Sequence, residues 1–354
     1  MPNTPHKYLF QNGIETQPKS AFQHLRFAAV LLSLGLACLA PHARAVSCTS
    51  QGELSQVDRS SLISAATPLA VAVAAQNFDP LKAALLPAVL PDWEGIRSVA
   101  QGAKPLLQGG ELHWRNTYLL DATDLKAPAD TQFFCSNADN SATVTVNLRS
   151  LPAGKYALMI ADFSGSPQAG QLGLILGFDG SWKLGGLFAR EGLLDGHDAI
   201  WYWTQARDTA RKNPTPKSWS AWFLFDTARF LELPVDFISS PNLEKLNREQ
   251  QNLASPHESL PLTVNPTDAA DAGKSWKITG LRIDTTLHTP DLGLTYEGSG
   301  LTDPIAARHE AIQVMSGLLH EHPELRQSFH GLWAYAEKDS KQSYAIELAM
   351  RDIP

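Results

Sequence analysis

The amino-acid sequence predicts two α+β domains behind a hydrophobic leader. The apolar period changes from 3.6 to 2 after Gly109-Gly110, so helices come first and strands follow. Near residue 195 the period returns to that of helices, and beyond residue 275 a β-β-α-β-β order repeats the same layering on a smaller scale. With 354 residues, 44% hydrophobic and 18% charged, the chain can bury sizeable cores. At roughly 100 to 200 residues per domain its length suits two.

Residues 1–45 read as a signal peptide. Phe27 to Ala40 is an uncharged apolar run behind Arg26 and Lys7, shorter than the roughly 20 apolar residues that a bilayer span needs. Pro41 breaks the run, and Ala43-Arg44-Ala45 places small residues where a signal peptidase reads, so cleavage is expected between Ala45 and Val46. A rival reading makes Cys38 the lipidated cysteine of a lipoprotein signal. With the leader removed no other segment reaches membrane-spanning length, and the expected location is periplasmic or extracellular. There Cys48 and Cys135 are the remaining cysteines, and an oxidising compartment favours a disulfide between them. The alternative is a pair of unrelated buried thiols.

The first domain is placed at residues 46–254. Leu62, Ala66, Leu69 and Val73 form one helical stripe, with Pro68 the alternative start of a fresh helix. Asp79-Pro80 opens a short helix, and a third follows Pro91, carrying Trp93, Ile96, Val99 and Ala100. Strands are expected at 112–120, 131–135, 142–148, 155–162, 171–178 and 181–188, the last two joined by a two-residue Asp179-Gly180 turn. Together they read as an antiparallel meander.

The phrase Ala75-Gln76-Asn77-Phe78-Asp79-Pro80-Leu81, then a sheet whose last strand begins Gly180-Ser181-Trp182-Lys183-Leu184, resembles the ketosteroid-isomerase-like (nuclear transport factor two-like) superfamily over residues 55–190. The resemblance implies a cone-like fold, N-terminal helices on a curved antiparallel sheet, with an apolar pocket inside. That superfamily holds isomerases, dehydratases and many non-catalytic binding domains, so the fold does not choose among them.

Asp198 caps a helix running to about residue 211, Asn213-Pro214-Thr215-Pro216 breaks it, and a second helix follows from Ser218. The pair is expected as a helical hairpin packed on the cone. Residues 255–275, rich in Pro, Ser, Asn and Asp, read as a linker. Residues 276–354 then form the small β-β-α-β-β domain, with strands at 276–287, 291–297, 329–337 and 342–350 around a helix opened by Thr302-Asp303-Pro304.

Composition excludes some chemistry. The whole chain carries −7, and its first 45 residues hold Lys7, Lys19, Arg26 and Arg44 against Glu15, so the remainder stands at −10. Such acidity repels phosphate backbones, and nucleic acid is not an expected partner. Gly-x-Ser-x-Gly, phosphate-binding and dinucleotide-binding glycine motifs and the EF-hand spacing are all missing from the sequence. No cofactor is expected. His309-Glu310 and His320-Glu321-His322 lie on or near one helix without the His-Glu-x-x-His spacing, and no metal site is expected there.

Candidate pocket or surface residues come from three places. Asp162 closes a strand whose apolar side is Tyr156, Leu158 and Ile160, which sets it at a pocket mouth or in an ordinary turn. His113, Arg115 and Thr117 alternate with Trp114, Asn116 and Tyr118, leaving open which set faces inward. Trp201, Trp203 and Trp222 belong to an aromatic cluster that serves either as a packing seam or as an exposed ligand surface. The leading expectation is a non-catalytic module of the cell envelope that binds a small apolar ligand or assembles with an envelope protein. The alternative is a metal-independent acid-base enzyme with a cone pocket.

Overall fold

The computed structural model describes residues 46–137, 141–166, 168–212, 218–233, 235–300 and 302–354. The segment read as a signal peptide, with Cys38 and Ala45, and the breaker at 213–216 lie outside the described residues. The fold is mixed α+β, with mainly antiparallel sheets and a separate small sheet. Among the described residues no helix is long and apolar enough to cross a membrane.

Strand β1 (Ser47–Ser50) precedes helix α1 (Gln56–Ala74), whose Ser55 cap accepts the Asp58 amide at 3.1 Å. Pro68 does not restart the helix. It sits exposed within α1, because Leu62, Ala66, Leu69 and Val73 stay on one buried stripe that a break would rotate apart. Helices α2 (Phe78–Ala83), α3 (Trp93–Gly102) and α4 (Lys104–Leu107) follow. Trp93, Ile96 and Ala100 are buried as the stripe predicts, whereas Val99 is exposed.

The strands are β2 (Glu111–Asp121), β3 (Ala129–Ser136), β4 (Thr143–Leu151), β5 (Lys155–Ser164), β6 (Gly170–Phe178) and β7 (Trp182–Glu191). They do not form one meander. The main sheet runs β1-β2-β5-β6-β7, all antiparallel, while β3 and β4 leave it and pair with β8 (Ile238–Ser239) in a three-stranded sheet. The reason is that the main sheet is apolar on both faces. Ala157, Met159 and Ala161 pack under the helices, and Tyr118, Leu120, Leu158 and Ile160 need a second cover, which Phe133, Cys135, Val144 and Val146 supply. The β6–β7 hairpin is present, with Phe178 opposite Trp182, so its loop is one residue longer than the two-residue turn expected. Gly180 takes φ +71° there, a conformation that a side chain would strain.

The disulfide between Cys48 and Cys135 is formed, 87 positions apart in sequence, with Cα atoms 5.3 Å apart. It ties β1 of the main sheet to β3 of the small one, and beside it the Ser136 amide donates to Ser50 Oγ at 2.7 Å.

Helices α5 (Ala199–Lys212) and α6 (Trp219–Glu232) pack as the expected hairpin. Their apolar face, however, covers the C-terminal sheet instead of the first one. Tyr202, Phe223, Phe225, Ala228 and Leu231 share a core with Ile278, Leu281, Leu294, Tyr296 and Leu332. Helix α7 (Pro241–Gln250) closes this layer. The segment read as a linker contributes strand β9 (Leu262–Val264), which pairs with β10 (Trp276–Asp284), Val264 lying opposite Trp276. Its next residues dock on α8 (Pro304–Glu321), where Gln313 Oε1 accepts the amides of Thr267 and Asp268 at 3.2 and 3.1 Å. Polarity there reflects hydrogen bonding to a helix, not solvation.

The C-terminal sheet runs β13-β12-β11-β10-β9, adding β11 (Asp291–Glu297), β12 (Gly331–Lys338) and β13 (Lys341–Ala349). Only β11 and β12 pair in parallel, with α8 as their crossover. Its helix-facing side is apolar, and its other side carries Asp284, Asp291, Trp333, Tyr335 and Glu347 in register.

Candidate functional site

A cleft of about 330 Å³ opens where the ends of β2, β5 and β6 meet the hairpin helices. Its geometry starts from one irregularity in β2. Trp114 pairs with Ala161 and Asn116 with Ile160, so Arg115 is an extra, unpaired residue, a β-bulge. The bulge reverses which face each later side chain takes. Leu112 and Trp114 pack with the helices, while Tyr118 and Leu120 are buried under the small sheet. Arg115 is thereby aimed out of the ladder and into the cleft.

Facing it is Asp162, whose Oδ1 lies 3.9 Å from Arg115 Nη1. That oxygen is shielded from solvent and accepts no hydrogen bond, and Oε1 of Gln171, its cross-strand neighbour, is in the same condition. From the hairpin come Asp198 at the start of α5 and Glu232 at the end of α6. Burial pushes the Glu232 carboxyl above its usual range, Arg115 opposing and Asp198 adding to the shift. Phe163, Leu193, Ile200 and Leu231 give the cleft an apolar wall. Gly170 also lines it, and on its other side the missing side chain lets α4 pack close, since a Cβ there would stand 2.5 Å from the Leu106 Cβ. The arrangement offers one cation and three carboxylates beside an apolar strip, and two of the lining residues, Asp162 and Gln171, each hold an acceptor without a donor, a lining suited to a molecule that donates hydrogen bonds.

The other candidate residues are scattered. His113 is exposed, its Nε2 3.7 Å from Glu111. Trp114 donates to Thr67 Oγ1 at 3.1 Å and serves packing, and Tyr118 is buried at 3% exposure in the inter-sheet core. Trp201 stacks on His197 with ring centres 3.8 Å apart and is 38% exposed. Trp203 donates to Glu249 at 2.7 Å, while Arg207 grips the same carboxylate with two hydrogen bonds and lies over the indole at 4.2 Å. Those bonds hold Glu249 below the usual carboxylate range. Trp222 packs against the hairpin core with its Nε1 buried and without an acceptor. The three tryptophans therefore line no common surface with Asp162.

Sequence reasoning did not single out Glu232, Asp198 or Gln171. Asp198 carries a capping signal, and its Oδ1 does accept the Trp201 amide at 2.9 Å. Glu232 ends an apolar helix with nothing local to mark it. No protein-family model matches the chain, and neither a curated protein nor a solved structure matches it.

Proposed function

We propose that the chain is an exported binding module that holds a small amphipathic molecule in the seam cleft without transforming it. The observation that carries this reading is the pair of orphaned acceptors, Asp162 Oδ1 and Gln171 Oε1, on one wall. A buried acceptor without a donor costs about 1–3 kcal/mol, and a hydroxyl or amine on a ligand would recover that cost. The apolar strip of Phe163, Leu193, Ile200 and Leu231 suits the body of such a molecule. Export is supported by the leader in the sequence and by the Cys48–Cys135 disulfide.

The ketosteroid-isomerase-like resemblance belongs to the same proposal. Helices on one face of an antiparallel sheet that ends in the Gly180 hairpin support it. The face where that superfamily keeps its apolar pocket is here packed with Ala157, Met159, Leu172 and Leu174 against Leu62 and Ala66, which favours the seam as the binding place and binding over catalysis. A second reading, acid-base catalysis in the cleft, draws on Glu232, whose carboxyl retains its proton to higher pH than usual.

Native mass spectrometry of protein isolated from the cells that make it tests the proposal. The wild type is expected to carry a non-covalent adduct that Ser164→Trp, which fills the cleft mouth from an exposed position, reduces at least tenfold. Adduct-free wild type, or an adduct of equal occupancy in the variant, would overturn it. Turnover of the released compound by wild type but not by Glu232→Gln would favour the second reading.

A further inference from the structure

The outer face of the C-terminal sheet carries a donor set that neither the cleft nor the proposed binding role uses. Asp291 opens β11 and is completely buried, His330 stands immediately before β12, and Glu347 lies on β13. One nitrogen or oxygen from each lies within 4.8 Å of the others. We propose that Asp291, His330 and Glu347 form a binding site for a divalent transition-metal ion of the zinc or manganese class.

Four observations support the assignment. First, His330 Nδ1 and Asp291 Oδ1 are 3.3 Å apart. Neighbouring ligands of an ion with bonds of about 2.0–2.2 Å stand about 3 to 3.5 Å apart, so the two atoms already have a ligand spacing. Second, the space between the carboxylates is kept open by Gly331. A Cβ there would lie 2.5 Å from Glu347 Oε1 and 3.1 Å from Asp291 Oδ1. Third, the buried carboxylate is oriented from outside the cluster, Thr289 Oγ1 donating to Oδ1 at 3.1 Å and Trp333 Nε1 to Oδ2 at 3.3 Å. Fourth, its one ion-pair partner among the described residues is His330 of the cluster itself, at 3.3 Å, an ion pair only when that imidazole is protonated. Among the described residues no lysine or arginine makes an ion pair with Asp291 or Glu347, although Arg282 is engaged with Asp284 one residue row away. Buried carboxylates ordinarily have a cationic partner or a metal.

Donor chemistry selects the ion. An imidazole with two carboxylates suits zinc or manganese better than calcium or magnesium, which prefer all-oxygen shells. Three protein ligands, with His330 half exposed, leave the remaining positions to water.

The test uses the full chain, stripped with a chelator and titrated with zinc chloride, manganese chloride and calcium chloride by calorimetry and by thermal melting. The expected result is one equivalent of zinc or manganese bound with micromolar or tighter affinity and a raised melting temperature, with calcium at least tenfold weaker. Glu347→Gln with His330→Gln should weaken binding at least thirtyfold, and His320→Gln with His322→Gln should leave it unchanged. Should the first double variant fail to fold, His330→Gln alone, at a half-exposed position, carries the comparison with a loss of at least tenfold. No saturable binding by the wild type, or equal affinity in the wild type and in the His330 variants, would overturn the proposal.

Discussion

At the scale of single residues, one extra residue in β2 decides the chemistry of the seam. Trp114 and Tyr118 are four positions apart and would share a face in an uninterrupted strand. The bulge at Arg115 separates them, and it also brings a guanidinium to within 3.9 Å of Asp162. Nothing in the letters His-Trp-Arg-Asn-Thr-Tyr announces a bulge, because it arises from pairing with β5, which is not local. Asp162 was legible as a strand-end acid, but Glu232 reaches the cleft only through the packing of α6. The raised Glu232 carboxyl has a consequence for stability. Its folded value lies above the ordinary 4.5, so ionisation disfavours the folded state. The cost is absent below about pH 4.5 and grows as pH rises through the folded value. Glu232→Gln should therefore melt higher than wild type at pH 7, with the difference shrinking toward pH 4, as measured by thermal denaturation across that range. A variant less stable at pH 7 would contradict this.

At the scale of elements, strand positions were legible and strand partners were not. The period-2 alternation of β5, β6 and β7, and the breakers between them, are local features, and those strands fall within a few residues of their expected spans. Whether β3 continues the sheet or folds over it depends on apolar surface left on Tyr118, Leu120, Leu158 and Ile160, which no window of sequence displays. The segment 255–275 reads as a linker for a related reason. Thr267 and Gln313 meet across 46 residues of chain, so local polarity looks like solvation. The disulfide was legible because only Cys48 and Cys135 lie beyond the segment that reads as a leader. Closing a loop of 87 residues stabilises by about 3–5 kcal/mol in the chain-entropy model. Cys48→Ser with Cys135→Ser should lose that much in chemical denaturation, with β1 the first element to exchange its amide hydrogens. A loss below about 1 kcal/mol would show that the small sheet holds β1 without the staple.

At the scale of the whole molecule, the described chain behaves as one compact unit. Helices α5 and α6 belong to the C-terminal core, while β8, just after them, returns to pair with β4, and Val235 is buried between the sheets. Glu191 at the end of β7 meets His288 at 3.2 Å, adding a contact between the two cores. A single cooperative unfolding transition is expected in calorimetry. A fragment of residues 255–354 should show none, because it lacks Phe223, Phe225 and Leu231, each contributing about 1.5–3 kcal/mol of burial against a total stability of about 5–15 kcal/mol. The interlock also explains why the cleft exists. Its walls come from both cores, and Arg115, Asp162 and Glu232 converge only where the two meet.

The most direct measurement is a crystallographic soak of the protein with a series of small amphipathic alcohols and amines. The account predicts density in the seam cleft, with a hydroxyl or amine within hydrogen-bonding distance of Asp162 Oδ1 or Gln171 Oε1. Compounds bound elsewhere, with the cleft holding none across the series, would contradict it.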